Sequence, residues 1–169
     1  MKVLEIGPGI HPRKIEGAEM VYIDKFNPGF PVVEWDLEKI PLPFDDNTFD
    51  YILAYEILEH VDNLAPLMDD LYRIMKLGGC LELTVPYYKY KGAFSNPEHK
   101  RFFTEDSFLF FCEPLQEGLV KNYWSRVSQV FIRQFNAEEV IKCGPGRHIK
   151  NVFIRRVIIR IQYFANSPP

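Results

Sequence analysis

The sequence predicts an α/β fold built on a mostly parallel sheet. Three observations carry that expectation. Lys2–Ile6 reads as a short buried strand, and the tight turn Gly7-Pro8-Gly9 follows it at once. Short apolar runs that end in an acid come next: Met20-Val21-Tyr22-Ile23 before Asp24, and Val32-Val33-Glu34-Trp35 before Asp36. A helical stretch after Asn63 then leads into another apolar run, Leu81-Glu82-Leu83-Thr84-Val85. Apolar runs that alternate with helical patterns imply crossover-linked parallel strands.

Each element has a local reason. Gly7 and Gly9 have no Cβ, so the backbone bends sharply there and a ligand can approach it closely. Pro8 stiffens the turn by fixing its own φ. Residues 11–17 hold Pro12 and leave room for a turn or two where a nucleotide fold normally has a full helix. Asn27-Pro28-Gly29 is a turn, and Pro41-Leu42-Pro43-Phe44 with Asp45-Asp46-Asn47 is a rigid loop. Phe49 to Ala54 reads as the fourth strand. After a helical turn at Glu56 to Val61, Asn63 caps a longer helix. Leu64, Leu67, Met68, Leu71, Ile74 and Met75 form its apolar stripe, and Gly78-Gly79 ends it. Pro86 stops the fifth strand. The chain then turns aromatic and irregular, with a helix capped by Thr104. Two more strands are expected at 127–135 and 152–164, around a turn at Gly144-Pro145-Gly146. Arg155, Arg156 and Arg160 mark the last as an edge or antiparallel strand.

The bulk numbers narrow the function. A chain of 169 residues reads as one domain with a core of its own. Its net charge of −3 argues against a nucleic-acid backbone as the main partner. Cys80, Cys112 and Cys143 are too widely spaced for a disulfide framework or a zinc pattern, and read as free thiols in a reducing, cytoplasmic setting. No apolar run approaches a membrane span, and no leader precedes the strand at Lys2.

The glycine turn lacks the third glycine of a dinucleotide fingerprint; His11-Pro12 stands there instead. Glu5 precedes it. Further on, Pro41 to Asp50 is followed by Glu56-Ile57-Leu58-Glu59-His60-Val61, and Gly78-Gly79 comes before the fifth strand. Strand, acid and Gly-x-Gly, then "LPF-D-x-x-FD … LEHV", resemble the class I S-adenosylmethionine-dependent methyltransferases, of the small-molecule, type 11-like kind. The likeness covers residues 1–110 and hardly touches the last third.

The resemblance implies a Rossmann-like, seven-stranded, mostly parallel sheet with a C-terminal antiparallel hairpin and helices on both faces. It implies one domain over 1–169: a donor-binding half at 1–86, a substrate-side lid at 87–124 and terminal strands at 125–165. S-adenosylmethionine is the implied cofactor, and transfer to an oxygen or nitrogen of a small molecule the implied reaction, with no metal required. Donor contacts fall on Glu5, Gly7, Gly9, Asp24 and Lys25, then on Asp36, Leu37, Ala54 and Tyr55. Asp24 lies where a carboxylate accepts ribose hydroxyls. Tyr87, Tyr88, Arg101 and His60 fall on the acceptor side, and His99 is the candidate base. No helical extension is read before the first strand, so the roof of the site comes from 87–124 or a partner subunit. A homo-oligomer therefore stays open.

Plainer readings stand beside these. Gly7-Pro8-Gly9 is also an ordinary tight turn, and Asp24 and Asp36 are also caps or turn acids. Asp45, Asp46 and Asp50 read as turn and surface residues. His60 reads as locally packed, and His99 equally as part of an exposed basic turn. Two other classes remain: a donor-binding module without catalysis, and a nucleotide-dependent oxidoreductase.

Overall fold

The computed structural model describes residues 1–104, 107, 108 and 111, and the backbone of 156–162. The six described strands are β1 (Lys2–Ile6), β2 (Glu19–Asp24), β3 (Val33–Glu34), β4 (Phe49–Tyr55), β5 (Met75–Pro86) and β6 (Arg156–Gln162). They form one sheet in the order β3-β2-β1-β4-β5-β6, and every pairing is parallel. The order reverses between β1 and β4, which is where open α/β sheets hold their ligands.

The expected strand at 127–135, one arm of the anticipated hairpin, lies outside the described residues. So do Cys112, Cys143 and the turn at Gly144. Of the expected strand at 152–164, Arg156–Gln162 is described, and it runs parallel to β5 rather than antiparallel. A parallel neighbour needs a crossover, whereas a hairpin arm returns directly.

Side chains alternate across the sheet. Leu4, Ile6, Ile23, Ile52, Ala54, Leu81, Leu83 and Val85 share one core with helix α1 (Leu64–Ile74). Leu64, Leu67, Met68, Leu71 and Ile74 supply the helix stripe, as their spacing predicts. Glu5, Tyr51, Leu53, Tyr55, Glu82 and Thr84 alternate with those core positions and belong to the opposite face. Among the described residues no helix covers that face. The 11–17 connection is indeed only a turn, and a cavity of about 350 Å³ lies between Arg13, Lys14, Ile15 and the strand residues Tyr51, Leu53, Tyr55 and Glu82. The Tyr51 hydroxyl donates to Glu82 there at 2.7 Å; burial first, then that bond, pushes its pKa up.

Two expectations are corrected. Gly78-Gly79 does not end the helix: α1 stops at Ile74 and β5 begins at Met75, which pairs with Phe49. The register shifts between Phe49 and Tyr51, so the added residues on β5 form an irregularity, with Gly78 at φ +78°. Asn63 makes no side-chain cap. Glu38 takes over instead, accepting from the Asp62 and Asn63 N–H groups at 2.6 and 3.1 Å.

The Pro-rich loop is as rigid as its composition suggests. Asp70, buried on α1, accepts from Leu42 N–H at 2.6 Å. Arg73 bonds Asp70 and Asp46 and donates to the Leu42 and Phe44 carbonyls. Removing core volume under this clamp is costly. Leu71→Ala, at a fully buried site, is expected to lower stability by about 3 kcal/mol. Leu77→Ala, 84 % exposed, is expected to stay within about 0.5 kcal/mol. Urea unfolding midpoints check both.

Candidate functional site

The site begins with a buried acid. Glu5 is 1 % exposed at the end of β1. One carboxylate oxygen accepts from the Arg13 backbone N–H and the other from its guanidinium, each at 2.8 Å. The guanidinium also lies 3.8 Å from the Tyr55 ring centroid. Both carboxylate oxygens of Glu5, a residue expected to contact a donor, thus fold residues 8–13 back onto the sheet. Sequence reasoning missed Arg13. Its signal was an acid at an inward strand position with a cation eight residues on.

Folding the turn back leaves Gly7 and Gly9 at φ +61° and +55°, where L-residues are strained. Their surroundings differ. A Cβ on Gly7 would meet Ile57 at 2.6 Å, whereas one on Gly9 would meet nothing within 4 Å. Gly7 therefore serves packing, and Gly9 faces open space. Beside it, Asp24 accepts from Gly9 N–H at 3.2 Å and from Phe26 N–H at 3.1 Å. A carboxylate has about four acceptor sites, so two remain.

Lys25 and Asp36 close the next strand ends as an ion pair at 3.1 Å. The Glu38 N–H and then Lys25 hold the Asp36 carboxyl below its ordinary range. Leu37 and Ala54 are core residues. Glu56, just past Tyr55, has φ +51° and donates its N–H to Thr84, so β4 bends sharply as it leaves the sheet. These donor-side candidates therefore gather at the carboxyl ends of β1 to β4, with Glu5, Leu37 and Ala54 buried there.

The acceptor-side candidates gather beyond β4 and β5. The short turn Leu58–His60 carries Glu59 and His60. Residues after β5 form the short helix α2 (Lys91–Ser95) and return along this turn. The Lys100 and Arg101 N–H groups donate to the Glu59 carbonyl at 2.8 and 3.2 Å. Arg101 donates its side chain to the Val61 and Asp62 carbonyls, and Lys100 pairs with Asp62. Arg101 thus holds the chain to itself. Tyr87 is core, bridged to Phe103, and Tyr88 lies edge-on against it.

His99 is carried inward by these bonds. Its ring is 9 % exposed, with Nδ1 2.9 Å from the Ala93 carbonyl and Nε2 4.0 Å from Glu59 Oε1. His60 stands edge-on to it, ring centroids 4.9 Å apart, with Nδ1 3.2 Å from the Glu98 carbonyl. Burial, with Glu56 adding to it, pushes the Glu59 carboxyl up to about 7. Glu59 belongs to the motif read in the sequence, but its direction into the protein follows from the fold alone.

Residues 7–83 match a family model described as a methyltransferase domain. Sterol 24-C-methyltransferase from Schizosaccharomyces pombe is 42 % identical over 38 residues, 22 % of this chain and 10 % of that protein. The ubiquinone/menaquinone biosynthesis C-methyltransferase UbiE of Desulfotalea psychrophila is 34 % identical over 58 residues, 32 % of this chain and 24 % of that protein. The chain therefore spans a quarter or less of these relatives. The crystal structure of a SAM-dependent methyltransferase from Archaeoglobus fulgidus shares the fold, with a TM-score of 0.57 and 23 % identity, over 64 % of this chain and 57 % of that one.

The Glu5–Arg13 pair gives a direct test of how the turn is held. In a double-mutant cycle of Glu5→Gln and Arg13→Ala, followed by urea unfolding, the coupling is expected at about 2 kcal/mol. That is below the cost of orphaning a fully buried charge, because half of the Arg13 side chain is exposed.

Proposed function

We propose that the chain is a class I S-adenosylmethionine-dependent methyltransferase that transfers the donor's methyl group to an oxygen or nitrogen atom of a small molecule. The observation that supports this best is the open space at Gly9 beside the Asp24 carboxylate, at the reversal point of a parallel sheet. The residues there fit such a donor: a backbone free of side chain at close range, and a carboxylate with acceptor capacity to spare for vicinal hydroxyls. The donor supplies an electrophilic methyl on a sulfonium, and its leaving thioether needs no acid.

The chain's own work is placement. Gly9 admits the donor and Asp24 holds its ribose. Asp36, kept ionised by Lys25 and the Glu38 N–H, serves the adenine side. Tyr55, held under Arg13, borders the methionine side. The acceptor enters from the 57–62 and 87–103 segments, past His60 and Tyr88. An oxygen or nitrogen acceptor that must lose a proton gives it to the Glu59–His60–His99 group, since His99 Nε2 faces Glu59 rather than open solvent. A carbon acceptor is the second reading, favoured by the names of the two curated relatives.

Titration calorimetry with S-adenosylmethionine and with its demethylated product tests donor binding. The folded parent should bind both. Asp24→Ala should weaken binding by on the order of 2 kcal/mol, about 30-fold, through loss of charge-assisted hydrogen bonds. Gly9→Ala should cost about 1 kcal/mol of stability through strain and lose affinity well beyond that. Equal affinity in Asp24→Ala makes this carboxylate a turn acid only. With labelled donor and an acceptor panel, His99→Ala should lower turnover about 100-fold with donor affinity unchanged. Donor binding without turnover on any acceptor supports a non-catalytic module instead.

A further inference from the structure

The Glu59–His60–His99 group holds a combination that its proton chemistry does not satisfy. Each imidazole has its Nδ1 against a backbone carbonyl, His99 on Ala93 and His60 on Glu98. A carbonyl only accepts, so each Nδ1 carries the proton and donates it. Each Nε2 is then left with a lone pair. Facing that of His99 is the Glu59 carboxylate, 1 % exposed, whose Oε2 has no hydrogen-bond partner. One ligand atom from each of the three residues lies within 4.8 Å of the others. A single proton joins one oxygen to one nitrogen and leaves the remaining acceptors facing each other. The 4.0 Å between His99 Nε2 and Glu59 Oε1 is too long for even that bond.

We propose that Glu59, His60 and His99 bind one zinc-class divalent cation. The ligand set is two neutral imidazoles and a carboxylate, which suits zinc, cobalt or nickel and not the oxygen-seeking magnesium or calcium. The two carbonyls on the Nδ1 atoms are the outer partners that fix ligating histidines in the required tautomer. Tetrahedral zinc, with bonds of about 2.0–2.1 Å, brings its ligand atoms to about 3.3 Å from one another. Small rotations of the three side chains close the gap. The backbone bonds from Lys100 and Arg101 to the Glu59 carbonyl already bring the two segments together. The ion fastens residues 96–101 to the turn after β4 and takes the lone pair with which metal-free His99 accepts a proton; its fourth position stays open to a ligand oxygen.

The test uses the full chain, dialysed against chelator and titrated with Co²⁺ and with Zn²⁺. The parent should take up one equivalent of either, with visible d–d bands for cobalt. Zn²⁺ should slow amide exchange at Lys100 and Arg101. His60→Ala, whose site is partly exposed, should keep the fold and weaken binding by at least about 100-fold, since outer partners of ligands alone are worth about 10–100-fold. Glu59→Gln, which keeps the side chain's shape, should do the same, and His11→Ala should bind as the parent does. A folded parent that takes up neither metal overturns the proposal and leaves a shared-proton group. Binding equal in parent and His60→Ala overturns it too, because the ion then sits elsewhere. Neither readout involves the donor, so donor binding at Gly9 and Asp24 stands or falls separately.

Discussion

The carboxylate of Glu5 is the constraint on which the carboxyl edge of the sheet depends. It is buried and ionisable, and water does not reach it, so a cation must come to it. Arg13 does so with both its backbone and its guanidinium. The stretch from Gly7 to Arg13 is thereby bent into a loop rather than extended into a helix. The bend puts Gly7 against Ile57, Gly9 beside Asp24, and the guanidinium over Tyr55. One ion pair thus ties the ends of β1, β2 and β4 together.

Much of this was legible in the sequence because it is local. The strand at Lys2–Ile6, the glycine turn, the missing crossover helix and the apolar stripe of α1 all follow from neighbours in the chain. Asp24 ends β2 as expected, and Asp36 lies two residues past the end of β3. What escaped was decided at a distance. Glu38 supplies the helix-start acceptor in place of Asn63 from 24 and 25 residues away. Gly78-Gly79 looked like a helix stop, yet β5 already pairs with β4 at Met75, and the glycines fall within the strand. Arg101, expected on the acceptor side, is claimed by two carbonyls of the 61–62 loop.

The acceptor side shows the same division. His60 and His99 are 39 positions apart, and the spacing of residues says nothing about their rings meeting. The meeting is made by main-chain bonds from Lys100 and Arg101 to the carbonyl of Glu59. Those bonds also account for the buried carboxylate, since a segment laid across the turn excludes the water that would otherwise solvate it. Fold and chemistry are coupled here through the backbone.

The short passage from β1 to β2 also bears on how the sheet is assembled. Lys2 pairs with Glu19, whereas Val3 pairs with Tyr51, so the first ring closes over 17 positions (19 − 2) and the second over 48 (51 − 3). Loop-closure entropy grows with the logarithm of length, and the shorter ring costs about 1 kcal/mol less to close. The chain gives up the cover a crossover helix would place over that face of the sheet. In exchange, its central strand is joined to β2 at a smaller loss of chain freedom than to β4.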